Sequence, residues 1–187
     1  GGLPGGAGYP SGVGPELDRH HSGSRGGGLA AEGCGFETLF MHCWGLREGG
    51  MDIFGETRGG RVFLSVTKVG GVVRDIDSAM LAEIKLTLEG IRGEYETIVK
   101  TLLNDSSIKN RTVGVGYLSE QQARDLSIVG PFARASNVNN DVRRLGLCAY
   151  GKLSDFQPIL SPQGASFVRV RVRALGVPQS IDIIAES

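Results

Sequence analysis

A mainly α-helical fold with short β segments is what this sequence predicts, and three observations carry it. Leu81, Ile84, Leu88, Ile91, Tyr95, Ile98 and Leu102 recur at spacings of three and four, which sets all of them on one face of a helix near residues 77–103. Phe36, Leu39, Phe40, Cys43, Trp44 and Leu46 follow the same period, and Met51, Ile53 and Phe54 extend it over residues 36–54. The extended run between them, Val62-Phe63-Leu64-Ser65-Val66, is only strand-length. These stripes read as core-facing surfaces, and neither requires a cofactor.

Along the chain the texture changes sharply. Of the 30 glycines, 13 lie in the first 35 residues together with three prolines. Such a segment loses much backbone entropy on ordering and has little apolar surface to offset it, so residues 1–28 read as poorly ordered. Residues 1–34 are accordingly set apart from a domain over residues 35–187. The 36–54 helix is weakened by Gly45, Gly49 and Gly50, and its His42 reads as a hydrogen-bonded structural histidine. Arg58-Gly59-Gly60-Arg61 makes a turn before the strand, and Gly70-Gly71 ends it. Asp77 or Ser78 caps the next helix. Val113 and Val115 suggest a brief strand, and Ser119 caps a short helix through Leu126.

The stretch from Gly130 to Tyr150 is polar, with Arg134, Asn137, Asn139, Asn140, Asp141, Arg143 and Arg144. A loop of this kind either faces solvent or, with arginines paired to an aspartate, lines a subunit contact. Phe167-Val168-Arg169-Val170-Arg171-Val172-Arg173 alternates apolar with basic and, taken alone, reads as a half-exposed strand.

Composition excludes several functions. The chain has 187 residues, enough for one domain with a sizeable core. Its 20 basic residues balance 20 acidic ones, which argues against nucleic acid or an anionic membrane surface as the main target. Charge or glycine interrupts every apolar run, and no secretory signal is legible, so a cytoplasmic protein is expected. Cys34, Cys43 and Cys148 are far apart and odd in number, which fits neither a disulfide framework nor a Cys-x-x-Cys site. His20-His21 lacks the further fixed ligands that a zinc site needs. Gly114-x-Gly116 and Gly26-Gly27-Gly28 lack the strand–turn–helix setting of a phosphate loop.

A family resemblance then emerges from collinear blocks. Gly35-Phe36-Glu37-Thr38-Leu39-Phe40-Met41, Arg47-Glu48, Met51-Asp52-Ile53-Phe54, Gly59-Gly60-Arg61-Val62, Lys68-Val69-Gly70-Gly71-Val72 and Arg74-Asp75-Ile76 appear in order. They continue through Asn110-Arg111-Thr112-Val113-Gly114-Val115-Gly116-Tyr117-Leu118, Gly130-Pro131-Phe132-Ala133-Arg134-Ala135-Ser136, Asp141-Val142-Arg143, Ala149-Tyr150 and Gln179-Ser180-Ile181. Together they resemble the large subunit of membrane-bound, energy-converting [NiFe] hydrogenases and the homologous quinone-chamber subunit of respiratory complex I, the NADH-quinone oxidoreductase. No single block is decisive; their order and spacing over residues 35–187 carry the resemblance.

The resemblance implies an electron-transfer oxidoreductase subunit, with hydrogen evolution or uptake in one branch and NAD-linked quinone reduction in the other. In the hydrogenases a Cys-x-x-Cys pair near each end holds nickel and iron, because soft thiolates anchor those metals. Neither pair occurs here, so the sequence reads as a fragment truncated at both ends, with no metal ligand to name and no cofactor of its own; a truncated scaffold without activity is the competing expectation. The implied partner is an iron–sulfur small subunit, with membrane subunits reached indirectly from the cytoplasmic face. Arg61, Gly70, Gly71, Arg134, Asp141 and Arg143 would face that partner and its cluster. Complex I members place a histidine two residues after Arg61, where this chain has Phe63, which favours the hydrogenase branch.

Two further expectations come from the resemblance. Glu16-Leu17-Asp18-Arg19 and Ala30-Ala31-Glu32 fit a helix before the Gly35 block, but residues 20–28 do not, and Gly23 stands where a histidine is usual. A reading-frame slip in the coding sequence would account for that stretch. The counterpart of residues 164–186 is a long helix, which overrides the strand reading, although Gly176 and Pro178 should kink or break it.

Overall fold

The computed structural model describes residues 13–58, 60, 67–68, 71–72, 76–145 and 156–186. The long helices are α1 (Val13–Gly33), α2 (Glu37–Arg58), α3 (Ser78–Asn104) and α7 (Ser166–Glu186). Between α3 and α7 lie α4 (Ser106–Thr112), α5 (Glu120–Asp125), α6 (Gly130–Ala135) and a 3-10 turn, Val142–Leu145. A two-residue hairpin, β1 (Thr67–Lys68) and β2 (Gly71–Val72), pairs antiparallel with Lys68 opposite Gly71. The fold is mainly α with short β segments, as the periodicity requires.

The four long helices form a bundle, and its core fixes their directions. At one end Val13 and Leu17 of α1 meet Ile53 of α2, Ile84 and Leu88 of α3, and Ile181 and Ile184 of α7. At the other, Ala31 meets Leu102 and Ile108, with Leu39 and Val170 packed against them. Helices α1 and α3 therefore run one way, α2 and α7 the other. Burial follows the stripe on α3: Ile84, Leu88, Tyr95 and Leu102 are buried, and Val99 joins them. The caps are those the side chains allow. Asp77 accepts from the Met80 N–H at 2.8 Å, and Asp105, which ends α3, accepts from the Ile108 N–H at 2.9 Å to start α4. Ser119 and Gln122 form a reciprocal capping box at α5.

Three expectations change. Residues 13–33 are a packed helix where composition predicts poor order. Glycine lets α1 approach α7 closely: a Cβ on Gly23 would overlap Val177 Cγ2. Contact with two long helices supplies the buried surface that offsets the glycines' entropy. The strand expected at Val113 and Val115 is instead a turn after α4, both valines being exposed, because Gly114 and Gly116 take positive φ values of 74° and 64°. The segment 167–173 is helical, as the resemblance implies, but the break expected at Pro178 does not occur and α7 continues through it.

That continuation has a local cause. Pro178 cannot donate to the Ala174 carbonyl one turn back. The buried Tyr95 hydroxyl of α3 donates to that carbonyl instead, at 3.3 Å. Burial, aided by Cys43, raises the Tyr95 pKa, so the phenol remains a donor. Arg92 of α3 pairs with Asp182 beyond the proline. The strand expected at residues 62–66 and the turn at Gly59-Gly60-Arg61 lie outside the described residues, Gly60 excepted.

Candidate functional site

The polar segment after α5 folds around a buried set of charges. Arg134, in the last turn of α6, donates from Nη1 to Asp141 Oδ2 at 2.6 Å. Asp141 also accepts from Arg143 Nε at 3.0 Å and Nη2 at 2.8 Å, a two-pronged fork, and from the Arg143 backbone N–H at 3.1 Å. Glu16 of α1 reaches this set, with Oε1 3.8 Å from Arg143 Nη1 and Oε2 3.3 Å from Arg19 Nε. The Arg143 guanidinium lies over the Phe156 ring, 4.1 Å from its centroid. The three arginines and two carboxylates named here carry one positive charge in excess.

Burial sets the electrostatics. Arg134, Asp141 and Arg143 are 5%, 6% and 3% exposed. Burial alone would raise the Asp141 pKa, but the Arg143 fork and the neighbouring Arg134 outweigh it and hold the carboxyl well below its usual range. Burial, together with the like charges of Arg143 and Arg19, lowers the Arg134 pKa against the pull of Asp141. The cluster fastens α1, α6 and the 3-10 turn together.

Above it the segment is stapled to the start of α7. Ser136 Oγ donates to the Leu118 carbonyl at 2.9 Å, and the Gly164 N–H donates to the Ala135 carbonyl at 2.8 Å. Gly164 has φ 58°, and a Cβ there would overlap the Leu118 oxygen. Arg169 donates to the Gly116 carbonyl and covers the Phe132 ring at 4.9 Å. Among the exposed polar residues of this stapled segment, such as Gln121, Arg124 and Asn139, stand large apolar side chains: Leu126, Val129, Phe132 and Val142 are 66%, 71%, 45% and 64% exposed.

Sequence reasoning placed Arg134, Asp141 and Arg143 together, and the structure joins them directly. It turns their charged groups inward, however, where Asp141 and Glu16 supply counter-charge, and leaves apolar side chains outside. Gly71 stands in the β hairpin, while Arg61 and Gly70 lie outside the described residues. Glu16, Arg19 and Phe156 were missed as cluster members. The Glu16-Leu17-Asp18-Arg19 block was legible, but its three-dimensional neighbour was not.

The described thiols do not fit a nickel–iron centre. Cys34 and Cys43 are both buried free thiols, two where the resemblance requires four, and burial pushes the Cys43 thiol up to about 11. Among the described residues no group of three or more histidine, cysteine, aspartate or glutamate side chains gathers as metal ligands. Cys148 lies outside them. His21 Nε2 accepts from Arg47 Nε at 2.7 Å. His20 is fully buried, and burial followed by the charge of His21 lowers its pKa to about 4. His42 is exposed on the wall of a groove between α2 and α3, not enclosed as a structural histidine.

Comparison with known proteins places this geometry in context. The family model described as "Respiratory-chain NADH dehydrogenase, 49 Kd subunit" matches residues 33–187. Formate hydrogenlyase subunit 5 of Escherichia coli (strain K12) is 32% identical over 171 residues, covering 90% of this chain and 30% of its own. The D-type subunit of NADH-quinone oxidoreductase from Geotalea uraniireducens (strain Rf4) is 29% identical over 153 residues, covering 82% of this chain and 39% of its own. The D-type subunit of F(420)H(2) dehydrogenase from Methanosarcina mazei is 29% identical over 171 residues, covering 91% and 46%. The chain thus spans between 28% and 47% of the length of such relatives. No described helix is long and apolar enough to cross a membrane.

Proposed function

The chain belongs to the family of the 49 kDa subunit of respiratory-chain NADH dehydrogenase, and from that premise we propose that it is part of an electron-transfer oxidoreductase subunit of the hydrogenase type, docking an iron–sulfur subunit. The observation that carries this reading is the stapled segment from Val113 to Val142, which holds exposed apolar side chains over a buried ion cluster. Exposed apolar side chains grouped on one ordered segment suit a protein interface. The excess positive charge beneath suits a neighbouring electron acceptor, because net charge near an iron–sulfur cluster tunes its potential. The part assigned to the described residues is to position and bind that partner. The relatives' names are those of subunits, which agrees with a place in a larger assembly, and the proposal sets that assembly at a membrane's cytoplasmic face.

The family description itself supports a second reading, part of the quinone-chamber subunit of an NADH-quinone oxidoreductase. Co-expression of the chain with the iron–sulfur subunit of each type of complex separates the two. The hydrogenase reading expects co-purification with the hydrogenase-type subunit, and loss of it in Val129→Asp or Phe132→Asp. Retention of the quinone-type partner alone would replace it with the second reading. Failure of the folded chain to retain either would remove both.

A further inference from the structure

We propose that the groove between α2 and α3 is a docking site for a partner α-helix that presents a small apolar face flanked by lysine or arginine. The groove has a volume of about 1230 Å³ and is open to solvent. It lies between the two helices and extends to Asp105 and Ile108 at the start of α4. Phe36, Leu39, Leu46 and Ile98 give it an apolar floor.

Charge identifies the occupant. Glu37, Glu94 and Asp105 line the groove, and among the described residues no lysine or arginine does. A trough with an apolar floor, lined by three carboxylates beside the imidazole of His42, suits a helix with cationic flanks and repels an acidic one. Shape narrows the choice further. Gly45 and Gly93 are interior to α2 and α3, where glycine is among the weakest helix formers. A Cβ added at either would meet nothing within 4 Å, whereas one at Gly49 would lie 2.9 Å from Ile91. Packing among the described residues therefore explains Gly49 but not Gly45 or Gly93. A second backbone approaching closely would explain both, as small residues permit in tight helix pairs.

The test uses the full chain and two fluorescently labelled helical peptides with the same alanine- and glycine-rich apolar face, one flanked by lysines and the other by glutamates. Fluorescence anisotropy should give binding of the lysine peptide at least about tenfold tighter at low ionic strength, with the preference shrinking as salt is added. Glu94→Lys should abolish the preference without moving the unfolding midpoint. Gly93→Ala should raise the midpoint, since alanine is the better helix former, yet weaken peptide binding; improved folding with lost binding cannot be ascribed to misfolding. Equal binding of both peptides, no binding, or a Gly93→Ala variant that binds as the parent does would overturn the proposal. Self-association of the chain that excludes the peptide would also overturn it and assign the groove to a second copy.

Discussion

Asp141→Ala strips the buried cluster of its shared acceptor. Three side-chain hydrogen bonds go at once, those from Arg134 at 2.6 Å and from Arg143 at 3.0 and 2.8 Å. Among the described residues Arg143 keeps one carboxylate, the more distant Glu16 at 3.8 Å, besides the Phe156 ring, and Arg134 loses its ion pair. Both guanidinium side chains are nearly inaccessible, at 6% and 2% exposed, so water cannot replace the lost carboxylate without rearrangement. Breaking a buried pair in this way costs about 3–5 kcal/mol, a large fraction of a domain's stability. With a urea dependence of about 2 kcal/mol per molar, the midpoint should fall by about 2 M. Far-ultraviolet circular dichroism and the fluorescence of Trp44 report it. Asp125→Ala, at an exposed position on α5, is the control and should leave the midpoint nearly unchanged.

The same residue gives a pH signature. Its folded pKa lies below the unfolded value of 3.8, so its stabilisation is complete above that value and is lost as pH falls towards the folded pKa. The difference between parent and Asp141→Ala should therefore be constant from pH 8 to about 5 and shrink only in stronger acid. A midpoint at pH 7 within about 0.3 M of the parent would refute the closed, buried ion cluster.

Other outcomes follow from the packing. Tyr95→Phe leaves the Ala174 carbonyl without its donor and should cost about 1–3 kcal/mol in urea titrations; Pro178→Ala restores a backbone donor and should recover part of that loss. If the two substitutions behave additively, the tyrosine is not compensating for the proline. Gly23→Ala should destabilise by about 1–3 kcal/mol because its methyl group would strike Val177, and a stabilised variant would remove the close α1–α7 contact. His20 favours its neutral form in the fold, with a pKa near 4 against 6.5, so its contribution is complete above pH 6.5 and declines as pH falls towards 4. The parent should therefore lose about 2 kcal/mol between pH 7.5 and 5, and His20→Leu should flatten that slope. An unchanged slope in the variant would place the proton uptake elsewhere.

Period and caps carried most of the legible fold. The α3 stripe, Asp77 as its cap and Ser119 as the cap of α5 are all local patterns, and the structure keeps each of them. What sequence could not reveal depended on neighbours. The value of glycine at position 23 lies in Val177 across the interface, and the tolerance of Pro178 lies in a tyrosine hydroxyl from α3. Composition read both as breakers because entropy and missing donors are local, while their compensation is tertiary. For the site, the Arg134–Asp141–Arg143 spacing was legible as a paired-charge loop. Its orientation was not, since Glu16 and Phe156, from distant parts of the chain, decide which way the guanidiniums face. The Val113-Gly114-Val115-Gly116 run misled by composition: valine suggests a strand, but the glycines at positive φ turn the chain.

Backbone amide exchange of the chain, alone and mixed with a hydrogenase-type iron–sulfur subunit, tests the proposed docking role most directly. Exchange should slow in the complex along residues 113–142, and Val129→Asp should abolish that protection with the fold intact. Binding that leaves the segment unprotected, or no binding by the folded chain, would contradict the role.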